Sequence, residues 1–179
     1  MKIYLADPCY DHNGLSTPVI PIGAGLVASN AKKHFPDSSI KVFKAVTPLI
    51  EVLKNEPPDI LGLTTYLWNK NLAISIAELA KDVNPNTLVV FGGPEIDSAP
   101  PDLEYFGEKF DVVDIFVEHE GEQAFSNLVK TFEKNNFDIE ATKDLIDEVG
   151  NSFFINESGK LVKSPPLPRI RELDDVPSP

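Results

Sequence analysis

The stretch Leu88-Val89-Val90-Phe91-Gly92-Gly93-Pro94 decides the fold. Four consecutive large apolar residues predict a short strand buried on both faces, which requires helices above and below the sheet. The glycine pair and proline then end the strand in a turn. Upstream, Leu72, Ile76, Leu79 and Val83 recur at helical spacing before Asn84-Pro85. Further out, Ile3 to Ala6, Ile40 to Phe43, Ile60 to Leu63 and Val112 to Val117 read as four more strands. Helices are expected at residues 21–34 and 48–55, and on the stripe Ala124, Phe125, Leu128, Val129 and Phe132. Both apolar stripes read as core rather than as ligand contacts. Regular alternation of strand and helix predicts an α/β protein built on a doubly wound, five-stranded parallel sheet.

After about residue 136 the pattern changes. Ser152-Phe153-Phe154-Ile155, the turn Asn156 to Gly159, and Lys160-Leu161-Val162 read as a β-hairpin. Residues 164–179, with Pro165, Pro166, Pro168, Pro177 and Pro179, read as a linker, because repeated prolines remove donors and fix φ. The expected organisation is a main domain over 1–136, an appendage over 137–163 and a linker over 164–179.

Charge and cysteine use narrow the function classes. A net charge of -12 over 179 residues argues against nucleic-acid and anionic-membrane partners. One cysteine, Cys9, excludes a disulfide framework, a thiolate zinc site and a cysteine-held iron–sulfur cluster within this stretch. A reducing, cytoplasmic location fits, and the short apolar start is too brief for a signal peptide or membrane span.

In an open parallel sheet, ligands bind beyond the carboxyl ends of the strands. The expected binding loops are therefore Asp7 to Gly14, with Asp11, His12 and Gly14; Thr64-Thr65-Tyr66-Leu67-Trp68-Asn69; and Gly92-Gly93-Pro94-Glu95. Glycines here admit a ligand to the backbone or simply make a turn. After the fifth strand comes Glu118-His119-Glu120-Gly121-Glu122, readable as a metal or acid/base cluster, though without the HExxH spacing, or as carboxylates capping the next helix. From Glu95 to Glu122 ten carboxylates face one lysine, Lys109, which reads as a solvated face or a docking surface.

Taken in order, Thr64-Thr65, Val89-Val90-Phe91-Gly92-Gly93-Pro94, Glu120-Gly121-Glu122 and the closing Pro165-Pro166-Leu167-Pro168-Arg169-Ile170 resemble one family. It is the cobalamin-binding, flavodoxin-like (Rossmann-like) domain of cobalamin-dependent radical S-adenosylmethionine enzymes. The resemblance implies a strand order of 2-1-3-4-5, with the corrin ring over the carboxyl edge and the nucleotide tail descending beside the strands. Thr64, Thr65 and Tyr66 would contact that tail, Gly92, Gly93, Pro94 and Glu95 would leave it room, and Glu118, Glu120 and Gly121 would lie along the same edge. Asp11, His12 and Gly14 occupy the loop where related cobalamin domains carry Asp-x-His-x-x-Gly. Here Asp11 and His12 are adjacent, so His12 stands as a cobalt ligand out of that register.

The family's Cys-x-x-x-Cys-x-x-Cys motif is missing. The resemblance thus implies a non-catalytic cofactor module, inert alone. S-adenosylmethionine and a 4Fe–4S cluster would belong to a downstream catalytic domain of the full-length protein. Two other functions use the same fold: a receiver-type signalling domain, and a flavin- or nucleotide-binding flavodoxin-like domain. The first wants a lysine after the fifth strand where His119 stands, and the second lacks a Gly-x-Gly-x-x-Gly after the first.

Overall fold

Side-chain alternation along the first strand, β1 (Lys2–Cys9), sends Ile3 and Leu5 to one face of the sheet and Tyr4 and Ala6 to the other, and all four are buried. The structure is a computed structural model that describes residues 1–96, 100 and 102–179. In chain order the elements that follow are α1 (Ile22–His34), β2 (Ser39–Ala45), α2 (Val46–Asn55), β3 (Ile60–Thr64), α3 (Lys70–Val83), β4 (Leu88–Gly92) and α4 (Leu103–Lys109). The remainder comprises β5 (Ile115–Val117), α5 (Gly121–Lys134), α6 (Ile139–Lys143), α7 (Ile146–Val149), β6 (Ser152–Ile155) and β7 (Leu161–Lys163).

The sheet runs β2-β1-β3-β4-β5-β6-β7. Its first five strands are parallel, in the expected order, while β6 pairs antiparallel with β5 and with β7. The hairpin therefore does not hang off the domain; it continues the sheet by two strands. On one face α1, α5 and α7 cover Ile3, Leu5, Ile60 and Val90. On the other α2, α3 and α4 cover Tyr4, Leu61, Val89 and Phe91. Each fully buried Leu or Ile contributes about 2 kcal/mol by its removal from water.

Three details differ from the sequence expectation. The buried side of α3 is Ala73, Ile76, Ala77 and Ala80, while Leu72 is half-buried and Val83 exposed. Small alanines let this helix sit close to the sheet, so the face is set by packing distance rather than by side-chain size. Strand β5 begins at Ile115 instead of Val112, because Asp114 turns its carboxylate back. That oxygen accepts from the Lys81 ammonium at 2.7 Å and from Val89 N–H at 2.7 Å. The third is the proline-rich end, which forms a strap rather than a free linker. Asn151 N–H donates to Pro165 O and Leu167 N–H donates to Asn151 Oδ1. Farther on, Lys33 and Ser29 of α1 donate to Asp175 O and Pro177 O, and Pro179 packs against Gly25.

Burial pushes the Asp114 carboxyl above the usual aspartate range, against the opposing pull of Lys81. Asp11 shifts the other way, held low chiefly by the Thr47 hydroxyl donating to it at 2.7 Å. Folding thus favours protonated Asp114: that stabilisation is fully present below the ordinary aspartate pKa and is lost as pH rises through the raised folded value. For Asp11 the stabilisation is present above the ordinary pKa and is lost as pH falls through the depressed one. Carbon-detected NMR titration should find the Asp114 carboxyl titrating above the aspartate range and Asp11 below it. Equal midpoints would contradict this assignment of the two environments.

Candidate functional site

The loops that leave β3, β4 and β5 meet the start of α1 at the carboxyl edge of the sheet, and between them opens a cavity of about 350 Å³. It runs down between the sheet and the helix pair α1 and α5. Its floor is Leu5, Gly62 and Val90, its walls are Ala24, Val27 and Phe125, and its mouth carries Tyr66, Pro94, His119 and Glu120. Glycines keep it open. A Cβ on Gly62 would lie 2.5 Å from Leu5 Cδ2 and drive that side chain aside, whereas one on Gly23 meets nothing within 4 Å.

Of the residues expected at the site, Thr64, Tyr66, Gly92, Gly93, Pro94, Glu120 and Gly121 line this cavity. The others stand behind it or beside it. Thr65 is fully buried, with its hydroxyl donating to Gly92 O at 2.9 Å and its N–H to the same oxygen at 2.7 Å. It stitches β3 to β4 and presents no hydroxyl to the cavity. Glu95 pairs with Lys70 at the start of α3. Glu118 is buried and accepts from Lys163 of β7 at 2.9 Å. Asp11 accepts from Thr47 N–H at 3.0 Å and ties the β1 loop to the start of α2, while His12 and Gly14 are exposed in that loop.

At Gly93 the turn reading holds. Its φ is 104°, and an added Cβ would sit 2.7 Å from Thr65 O and 2.9 Å from Thr65 N. The residue is glycine for the sake of the protein's own backbone, beyond any room it leaves for a ligand. Glu120 occupies the N-cap position of α5 but makes no side-chain cap bond; its carboxylate instead accepts from Ile170 N–H of the strap at 3.0 Å. Glu122, in the first turn of α5, is the carboxylate placed to meet the positive end of that helix.

Several residues take parts here that the sequence pattern does not assign to them. Phe125 is buried in the core as expected and also forms a cavity wall. Gly62 interrupts the apolar run Ile60-Leu61-Gly62-Leu63, which signals a close approach to the strand. His119 holds φ at 58°, a region non-glycine residues rarely occupy, at the cavity mouth. Asn69, 2% exposed, accepts from Tyr66 N–H at 2.7 Å and donates to Asp7, Pro8 and Thr64 oxygens. It fixes the β3 loop, on which Tyr66 and Trp68 stack with ring centres 4.6 Å apart and Trp68 largely exposed.

A doubly wound sheet with a glycine-walled slot descending from its carboxyl edge defines a cofactor-holding α/β domain. Residues 16–129 match the B12 binding domain family, which is more than half of the chain, and the protein belongs to that family. It is 30% identical over 167 residues to the cobalamin-dependent radical SAM methyltransferase TokK of Streptomyces tokunonensis, covering 90% of this chain and 23% of that one. It is 28% identical over 165 residues to the uncharacterized methyltransferase PH0819 of Pyrococcus horikoshii, covering 89% and 33% respectively. The fold superposes on the cobalamin-dependent S-adenosylmethionine radical enzyme OxsB, solved with aqua-cobalamin and S-adenosylmethionine bound. That match has a TM-score of 0.76 at 23% identity, over 99% of this chain and 24% of the other. The chain thus spans 23% to 33% of the length of these relatives. Family membership sets aside the receiver and flavin readings. Among the described residues no helix is long and apolar enough to cross a membrane.

Proposed function

We propose that this domain seats the nucleotide arm of cobalamin in the slot between α1, α5 and the sheet, and presents the corrin ring at the rim to a radical S-adenosylmethionine catalytic domain of the same polypeptide. The observation that carries this reading is the cavity itself. Ligand cavities range over roughly 300 to 1,000 Å³, so a slot near the lower bound suits one arm of a large cofactor rather than the whole of it. Its apolar floor and Phe125 wall suit a flat heteroaromatic base. Thr64, Glu120 and the backbone of Gly92 and Gly93 offer polar partners to the sugar and phosphate at the mouth.

Bound cobalamin supplies the alkyl–cobalt chemistry of methyl transfer or radical rearrangement; the chain supplies placement, exclusion of water and orientation. Gly62 and Gly92 keep the slot open, Asn69 holds the Tyr66 to Trp68 loop at the rim, and the Glu120–Ile170 bond closes the outer side. S-adenosylmethionine and the iron–sulfur cluster belong, in this reading, to the catalytic domain. Desalting after incubation with hydroxocobalamin should leave the protein coloured, and His12→Ala should leave the bound spectrum unchanged, since His12 is exposed in its loop. A colourless protein would overturn the function, and a shifted spectrum in the variant would assign His12 to cobalt.

A further inference from the structure

At the opposite, amino edge of the parallel strands lies a second opening, a cleft of about 770 Å³ bounded by α4, by the α6–α7 segment and by the β6–β7 turn. Its apolar part is formed by Phe106, Phe110 and Phe154 below and by half-buried Leu103, Ile155 and Val162 at the sides. Around this floor stand seven carboxylates and one lysine. Glu140 pairs with Lys143 at 2.8 Å. The other six, Glu104, Glu108, Asp111, Asp144, Asp147 and Glu157, have no salt-bridge partner among the described residues. They come from α4 and its end, residues 104–111, and from the stretch 144–157 more than 30 residues later, so the fold itself brings the like charges together.

We infer that this cleft docks a partner protein through a basic polypeptide segment carrying apolar anchors. Six unpaired negative charges around one opening repel one another, and a cationic occupant removes that repulsion while Leu103, Ile155 and Val162 accept its apolar side chains. A small metal ion does not fit the arrangement, since no three His, Cys, Asp or Glu groups among the described residues are placed to hold one. A second copy of the chain would bring another net charge of -12 against an acidic surface. Nucleic acid is repelled for the same reason.

The test uses the 179-residue chain and a fluorescein-labelled octapeptide of alternating Lys or Arg with Leu and Phe, read by anisotropy. The triple variant Glu108→Lys, Asp111→Lys and Asp147→Lys should weaken binding at least tenfold. A control triple, Glu51→Lys, Asp82→Lys and Glu133→Lys, changes three exposed carboxylates elsewhere; each reversal adds two charges, so both variants go from -12 to -6. The control should bind within about twofold of the parent. A peptide with Leu and Phe replaced by Ser should bind at least fivefold more weakly to the parent. Equal loss in both triples, equal binding of the serine peptide, or sedimentation showing a dimer that the cleft triple dissolves would each overturn the inference. Cobalamin retention, at the other edge of the sheet, should be the same in all three proteins. Its loss in the cleft triple alone would also count against docking, because it would mean the variant disturbs the whole domain.

Discussion

Gly23→Trp should abolish cobalamin retention while leaving the domain folded. Gly23 sits in the first turn of α1 and lines the cavity, and a Cβ there meets no atom within 4 Å. An indole at this position occupies the slot between α1 and the sheet. Replacing glycine in a helix also removes a conformational penalty of about 0.5 to 1 kcal/mol, so the melting temperature should hold or rise. We expect cobalamin affinity to fall by at least about 30-fold, equivalent to ~2 kcal/mol, measured by titration of the visible spectrum. Unchanged affinity with unchanged stability would show that the slot is not where the cofactor's arm resides.

Gly93→Ala should do the reverse and damage the fold itself. Glycine at φ 104° lies where an L-side chain is strained whatever its size, and the added methyl would stand 2.7 Å from backbone that cannot rotate away. The same backbone, Thr65, is tied to β4 by two bonds to Gly92 O and accepts from Glu95 N–H at 3.2 Å. Shifting it would loosen the whole β3–β4 rim. A loss of about 2 to 4 kcal/mol in chemical denaturation is expected. A bulky residue at position 93 is therefore a poor probe of ligand space, although from the sequence it looked equivalent to one at 92. At Gly92 the nearest atom to an added Cβ is Val117 O at 3.4 Å, so that position reports on the cavity with less disturbance.

The parallel sheet was legible because its strands are covered on both faces and so read as continuous apolar runs. Ile60-Leu61-Gly62-Leu63 and Leu88-Val89-Val90-Phe91 needed no partner to be recognised. The rim loops were legible for a related reason: a parallel sheet places every strand's carboxyl end on one edge. What lay beyond local pattern was the use made of each polar group. Glu118 and Glu120 look alike in sequence, yet one is spent on Lys163 and the other on the Ile170 backbone, 45 and 50 residues away. Alanines on α3 carry too little hydrophobicity to mark a buried face, and the second part of the core residue Phe125, as a cavity wall, emerges only when α1 is placed beside α5. The docked strap was hidden for the opposite reason: prolines mark the absence of regular structure, while its anchoring carbonyls are on residues with no side-chain signal.

The most direct measurement compares cobalamin with cobinamide, the same corrinoid lacking its nucleotide arm, by isothermal titration on the 179-residue chain. An arm-filled slot predicts that cobalamin binds at least about 30-fold more tightly and that Gly23→Trp erases the difference. Equal affinities for the two corrinoids in the parent protein would contradict it.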